Sequence, residues 1–197
     1  MDLLTGFIDL FLHLDEHLAN IISQYGTWTY AILFAGIFLE TGVVVTPFLP
    51  GDSLLFAAGT FAALGSMNVY VLAGLLIVAA ILGDTVNYSI GHYLGERAYT
   101  IKFLKKEYFD KTHAFFEKHG GKTINLARFM PIVRTFAPIV AGAGEMKYGR
   151  FTFFNVIGGI LWGAGVTIAG YFLGSLIPDI DRYLLPIIAL IVIASVA

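Results

Sequence analysis

Long apolar stretches separated by short polar ones run through the chain, and two of them have the length of a membrane span. Residues 69–94 and 151–177 are almost wholly apolar, and a helix needs about 20 such residues to cross a bilayer. Residues 183–197 begin a further apolar run, which predicts a C-terminal transmembrane helix. The pattern predicts an all-α polytopic membrane protein.

Two other apolar segments are interrupted by prolines. Residues 28–64 divide into apolar pieces at 28–40 and 53–64, each too short to cross, and residues 123–144 are broken in the same way. Two half-length helices around a turn are typical of a re-entrant hairpin, whose irregular backbone must face protein or a wet cavity. The residues expected to shape the two hairpins are Pro47, Pro50, Gly51, Pro131, Pro138 and Gly142.

Polar segments set the expected topology. Residues 1–24 alternate apolar and acidic positions near a helical period and predict an amphipathic helix at the membrane interface. Residues 96–122 are rich in lysine and predict an exposed helical loop. Because no Lys or Arg precedes Arg97, the positive-inside rule places this loop in the cytoplasm and Asn68 outside.

A short internal similarity supports a repeat. Residues 81–95 align without gaps with residues 160–174, and a proline segment lies upstream of each. A single span between the hairpins would give the halves opposite orientations, as in the inverted repeats of secondary transporters. The alternative is that the glycine spacing recurs only as a helix-packing motif.

Composition agrees with a membrane protein. The 197 residues are 57% hydrophobic and 13% charged, with a mean hydropathy of +0.78, whereas soluble domains carry about 25% charged residues. The absence of cysteine excludes disulfides, thiolate metal sites and cysteine nucleophiles. The first residues lack a basic segment and a small-residue cleavage signature, so we expect the N-terminus to be retained.

Four ionisable residues interrupt the proline hairpins: Glu40 and Asp52 in the first, Arg128 and Arg134 in the second. A charge at bilayer depth costs about 2.5 kcal/mol or more, so unpaired charges are not expected. One interpretation is structural: buried salt bridges join the hairpins, and Asp52 with Ser53 caps a helix. The other is functional: the arginines clamp a phosphate, while an acid binds and releases a proton. The two interpretations are compatible.

The first span also carries a polar face. Three polar residues follow Asp84 at spacings of three, four and eight positions and therefore share one side of the helix with it. They are Asn87, Tyr88 and His92. They line a proton path in one interpretation, in which Asp84 couples protons or gates. In the other they form a polar seam satisfied by the neighbouring hairpin.

Known catalytic motifs are absent. The sequence has no His-Glu-x-x-His pair, no Gly-x-Ser-x-Gly elbow and no Walker loop. We therefore expect no enzyme, and no cofactor, metal or nucleic-acid partner.

Two motifs carry a resemblance to a known family. Residues 40–52 read Glu-Thr-Gly-x-x-x-x-Pro-x-x-Pro-Gly-Asp, and residues 128–142 read Arg-Phe-x-Pro-x-x-Arg-Thr-x-x-Pro-x-x-Ala-Gly. In this order and spacing they resemble the two hallmarks of the DedA family, whose membrane domain is also called the VTT or SNARE-associated domain. The resemblance covers about residues 25–180. It departs mildly at Glu-Thr-Gly, where some members have Glu-Asn-Gly.

The resemblance implies a bacterial inner-membrane protein with paired re-entrant hairpins. Family members are associated with flipping lipids, including the undecaprenyl phosphate carrier, and with dependence on the proton motive force; eukaryotic relatives are phospholipid scramblases. The residues important for activity in the family match Glu40, Asp52, Arg128 and Arg134.

The sequence therefore predicts a flippase for an anionic lipid, with undecaprenyl phosphate as the leading substrate, a phospholipid as the other lipid considered and protons as the coupling ion. A homo-oligomer is compatible with this prediction. Two alternatives stay open: a proton-coupled cation or drug antiporter whose acids bind substrate and whose arginines tune them, and a scaffold that organises envelope proteins without transport.

Overall fold

The structure is a computed structural model that describes residues 14–42, 51–95, 106–128, 130–177 and 186–187. Nearly all of these residues are helical and none is in a strand, which confirms the all-α prediction for this part of the chain. Pro47, Pro50 and nearly all of the predicted helix 183–197 lie outside the described residues. The helices are α1 (Leu14–Tyr25), α2 (Thr29–Gly42), α3 (Gly51–Ala63), α4 (Val69–Leu94), α5 (Lys106–His119), α6 (Thr123–Ala127), α7 (Pro131–Val140) and α8 (Tyr148–Leu176).

Helices α4 and α8 have the length and composition of membrane spans, with 26 and 29 residues. At 1.5 Å per residue they are roughly 39 and 44 Å long, enough to cross a hydrocarbon core of about 30 Å. Tyr70 and Tyr93, near the two ends of α4, are 86% and 89% exposed. Aromatic residues at both ends of a span are typical of the membrane–water interfaces.

The chain divides into two compact units. The first comprises residues 1–36, 50–76 and 163–197, and the second comprises residues 37–49 and 77–162. Helices α2, α4 and α8 each contribute a part to both.

Close helix packing through glycine characterises the first unit. A Cβ added at Gly59 of α3 would overlap the carbonyl oxygen of Thr167 in α8, and one added at Gly170 would overlap that of Phe56. Thr60 adds a hydrogen bond from its hydroxyl to the Gly170 carbonyl at 3.2 Å. Because the helices touch through their backbones, small residues at these positions are required.

Asn68 sets the start of α4 in the same unit. Its Oδ1 accepts hydrogen bonds from the N–H groups of Tyr70 at 3.0 Å and Val71 at 3.2 Å, as expected of a helix N-cap. Its own N–H donates to the hydroxyl of Tyr30 at 2.7 Å. Gly65, with φ of 87°, forms the preceding turn in the left-handed region that favours glycine.

The second unit repeats the glycine contacts between α4 and the segment that follows α6. A Cβ at Gly142 would overlap the carbonyl oxygen of Tyr88, and one at Gly91 would overlap that of Ile139. Gly91 and Gly170 are aligned positions of the internal similarity. These matching contacts support the repeat, whose inverted orientation stays a prediction.

The polar segment before α6 is more buried than the sequence suggests. The described charged side chains of α5 are exposed, but Thr112 is fully buried and Phe116 is 5% exposed. Phe116 belongs to the core of the second unit, together with Phe136 and Phe151. The expectation of an exposed helical loop therefore holds for only one face of α5.

The second proline-interrupted segment breaks at only one of its two prolines. The helical path is interrupted between α6 and α7, just before Pro131, which begins α7. Pro138 lies inside α7 without ending it, since a single missing N–H in a membrane helix is tolerated where neighbouring groups compensate. The helix ends in a π-helical turn, Ala141–Glu145, that contains Gly144 with φ of 151°.

Candidate functional site

The polar face of α4 packs against the segment that runs from Arg128 to Met146. Asp84 pairs with Arg128, the Tyr88 hydroxyl donates to the carbonyl of Met146 at 2.8 Å, and Asn87 is fully buried. The Asn87 amide donates to two carbonyls, those of Thr41 at 3.3 Å and Thr135 at 3.1 Å. One residue of α4 thereby joins the end of α2 to α7.

Arg128 sits in the bend between α6 and α7 and is held by two side chains. Its guanidinium donates to Oδ2 of Asp84 at 2.5 Å and to Oδ1 of Asn155 at 2.7 Å. The side chains of Arg128 and Asp84 are 3% and 8% exposed. Asn155 is oriented in turn by donating to the carbonyl of Ile81 at 3.0 Å. This arrangement is a closed, buried network of a cation, an anion and an amide.

A glycine in α8 makes the space for Arg128. A Cβ at Gly158 would lie 2.9 Å from the Arg128 Nε and 2.7 Å from the Asn125 Oδ1. Both of these polar atoms are buried and have no hydrogen-bond partner in the structure. Gly158 therefore positions the arginine by its lack of a side chain.

Arg134 forms the second ion pair, which is partly buried, one turn into α7. Its guanidinium donates to Oε1 of Glu40 at 2.9 Å, and the two side chains are 12% and 9% exposed. Glu40 reaches this position because α2 approaches α4 closely at Gly83, where a Cβ would overlap the hydroxyl of Thr41. Both predicted arginines are thus paired with acids.

Trp162 lies between the two pairs. The Cζ of Arg134 is 4.2 Å and that of Arg128 5.8 Å from the centre of the indole ring, within the range of a cation–π interaction. Trp162 is 1% exposed. The site therefore combines two cations, two anions and one aromatic face with little exposed side-chain surface, where an uncompensated charge would be costly.

The remaining predicted residues lie at the ends of helices. Asp52 is half-buried in the first turn of α3, which begins at the buried Gly51 and belongs to the first unit. A carboxylate there interacts favourably with the helix N-terminus. Gly142 lies in the π-helical turn, and the side chain of Pro131 lies outside the described part of the chain. No three His, Asp or Glu side chains among the described residues could hold a metal ion.

Sequence reasoning missed Asn155 and Trp162. Asn155 is a single amide in a long apolar run and is fully buried. A buried amide needs hydrogen-bond partners, and this requirement is the sequence signal that points to it. The position of Trp162 beside the arginines depends on the packing of α8 and has no sequence signal.

The chain is similar in sequence to a known domain and to several known membrane proteins. Residues 49–172 match the VTT domain. Protein DedA of Escherichia coli K12 is 53% identical over 98% of this chain and 91% of its own length. An uncharacterized membrane protein of Mycobacterium tuberculosis H37Rv is 46% identical over 81% of this chain and 71% of its own length.

Inner membrane protein YqjA of Escherichia coli K12 is 39% identical over 89% of this chain and 80% of its own length. No solved structure matches the chain. The extent and identity of these matches show that the chain belongs to the DedA family of membrane proteins and carries its VTT domain.

Proposed function

We propose that this protein translocates an anionic lipid across the bacterial inner membrane, driven by the proton motive force. Undecaprenyl phosphate is the first candidate substrate and a phospholipid is the second. The observation that carries the proposal is a set of two arginine–acid pairs in a membrane protein. Arg128 and Asp84 are buried, and the side chains of Arg134 and Glu40 are only 12% and 9% exposed. A buried ion pair contributes little net stability, so two such pairs in one small domain favour a functional role.

The two arginines have different environments, which supports different roles. Arg128 is enclosed by Asp84 and Asn155 and is only 3% exposed. We assign it to holding the hairpin in place. Arg134 is more accessible, at 12%, and we assign it to the phosphate, because the planar guanidinium fork matches phosphate oxygens.

Proton coupling then follows from competition for Arg134. While Glu40 is ionised it accepts the hydrogen bond of Arg134. Protonation of Glu40 removes the negative charge, and the guanidinium becomes available to a phosphate. Release of the proton restores the ion pair and expels the phosphate. Asp52 is the second candidate for proton exchange. Asp84 contributes to coupling or gating through its ion pair with Arg128.

The same pairs count against a cation or drug antiporter. A cation substrate would have to displace an arginine from Glu40 or Asp84, and both acids already lie within 3 Å of a guanidinium nitrogen. A scaffold requires none of these buried charges.

Reconstitution tests the proposal. A fluorescent prenyl phosphate in proteoliposomes should change leaflet, as read by accessibility to an impermeant quencher, faster than in protein-free liposomes and faster still under a proton gradient. Glu40→Gln should abolish the effect of the gradient. Equal movement of the uncharged prenol, or no movement above the protein-free rate, would contradict the proposal.

A further inference from the structure

A cleft in the second unit is lined by none of the four residues that form the two ion pairs. It lies where the end of α4, the turn Ala141–Glu145 and the start of α8 meet, and its volume is about 790 Å³. That volume is within the range of pockets that hold small organic ligands. By the predicted topology this end of α4 faces the cytoplasm.

Two glycines set the course of the backbone that borders the cleft. A Cβ at Gly142 would overlap the carbonyl oxygen of Tyr88, and Gly144 has φ of 151°, a conformation that other residues rarely adopt. Tyr88 forms the floor, since it is 5% exposed and its hydroxyl is bonded to the Met146 carbonyl. The backbone and the buried ring of these residues therefore form part of the wall of the cleft.

The described side chains that line the cleft favour an anion. Lys147 and His92 are exposed there, and the hydroxyl-bearing rings of Tyr93 and Tyr148 stand at its rim, 89% and 54% exposed. Lys147 immediately precedes α8, a 29-residue helix whose N-terminal N–H groups favour negative charge. No acidic side chain lines the cleft among the described ones; that of Glu145 is outside them.

An apolar stripe continues from the cleft along α4. Its members are four positions apart and between 39% and 49% exposed, which places them on one outward face over about 18 Å of helix. They are Val78, Leu82, Val86 and Ile90. A free phosphate ion has no apolar surface that could pack against this stripe, whereas the hydrocarbon chain of a lipid would cover it.

We propose that the cleft binds the phosphate head group of a membrane lipid, with Lys147 and His92 contacting the phosphate and the hydrocarbon chain lying along the α4 stripe. The choice of a phosphate lipid rests on the proposed function, but the cleft is a separate place from the Arg134 site. It is a loading or release position at the cytoplasmic surface.

Photocrosslinking tests the site directly. The variant Tyr93→p-benzoylphenylalanine is prepared in the full chain in nanodiscs. On illumination, position 93 should crosslink to a tagged prenyl phosphate. The matched control is Tyr70, equally exposed at the other end of α4, which should label little. Excess untagged prenyl phosphate should compete, whereas equal concentrations of inorganic phosphate or prenol should not.

Two lysine variants test the chemistry. Lys147→Gln should lower the affinity read from crosslinking at position 93 by about tenfold or more, the worth of one charge-assisted hydrogen bond. Lys118→Gln, an exposed lysine of α5, should leave the affinity unchanged. Equal labelling at both tyrosines, an unaffected Lys147→Gln, or competition by prenol would overturn the inference; competition by inorganic phosphate would make the cleft a free-phosphate site instead.

Failure here is distinguishable from failure of the proposed function. If the protein flips prenyl phosphate but position 93 does not label, only the cleft is wrong. If position 93 labels selectively but no flipping occurs, the cleft stands and the transport proposal falls.

Discussion

Neutralising Asp84 should destabilise the protein far more than neutralising a surface acid, because it leaves the Arg128 guanidinium buried without its counter-ion. Both side chains are less than a tenth exposed and are joined at 2.5 Å. Asn155 remains as a neutral acceptor for the guanidinium at 2.7 Å and compensates only in part. The direction of the effect follows from burial alone.

The magnitude can be worked from the pair. Removing one partner of a buried ion pair costs about 3–5 kcal/mol, and since Asn155 and the new amide of Asp84→Asn still accept hydrogen bonds, we expect about 3 kcal/mol. That is roughly a 150-fold change in the unfolding equilibrium. Adding Arg128→Gln should restore about 2 kcal/mol, because no buried charge is then left unpaired.

The control is the exposed pair on α5. His113 and Glu117 are 3.8 Å apart with side chains 46% and 71% exposed, so Glu117→Gln should change stability by about 0.5 kcal/mol or less.

Denaturation in mixed micelles, followed by tryptophan fluorescence, measures these differences. Trp162 is 1% exposed beside the arginines and reports the loss of packing, whereas Trp28 is already 74% exposed. The buried ion pair would not stabilise the protein as described if Asp84→Asn lay within about 1 kcal/mol of the wild type. The same would follow if the double variant lost as much stability as the two single variants lose together.

Three further predictions follow from the topology, the acids and the helix packing. A cysteine replacing Lys106 should react with an impermeant reagent only from the cytoplasm and one replacing Asn68 only from outside; labelling from the same side would contradict the inverted hairpins. Glu40→Gln should fold, reach the membrane and fail to complement a strain that depends on the protein, whereas a scaffold would tolerate the change. Gly170→Ala should destabilise the protein by about 1–3 kcal/mol in a melting experiment, because its Cβ would overlap a backbone carbonyl. Gly165→Ala in the same helix, where a Cβ meets nothing within 4 Å, should be neutral or slightly stabilising.

Much of the helical framework was predictable because the length and hydropathy of a segment identify a membrane helix. The predicted span 69–94 coincides with α4, and 151–177 differs from α8 by three residues at its start and one at its end. The break before Pro131 was anticipated, whereas the helical path through Pro138 was not. A proline inside a helix is accommodated by its neighbours, which the local sequence does not reveal.

The candidate site was predictable in its residue types and only partly in its pairing. Buried charges must find partners, so Arg128 and Arg134 pointed to nearby acids. The structure pairs Arg134 with Glu40, but Arg128 pairs with Asp84 of the first span and not with an acid of the first hairpin. Which acid faces which arginine depends on the register between helices, and periodicity fixes the face of a helix without fixing its neighbour.

One set of variants tests whether Arg134 holds the phosphate of the lipid. Arg134→Lys, Arg134→Gln, and Arg134→Gln combined with Glu40→Gln should be compared for melting temperature and for prenyl phosphate binding. We expect Arg134→Gln to lower stability, the double variant to recover it, and neither to regain binding; Arg134→Lys should bind weakly, because a single ammonium cannot replace the bidentate fork. Normal prenyl phosphate binding by a stably folded Arg134→Gln protein would contradict the claim and leave the ion pair with a structural role alone.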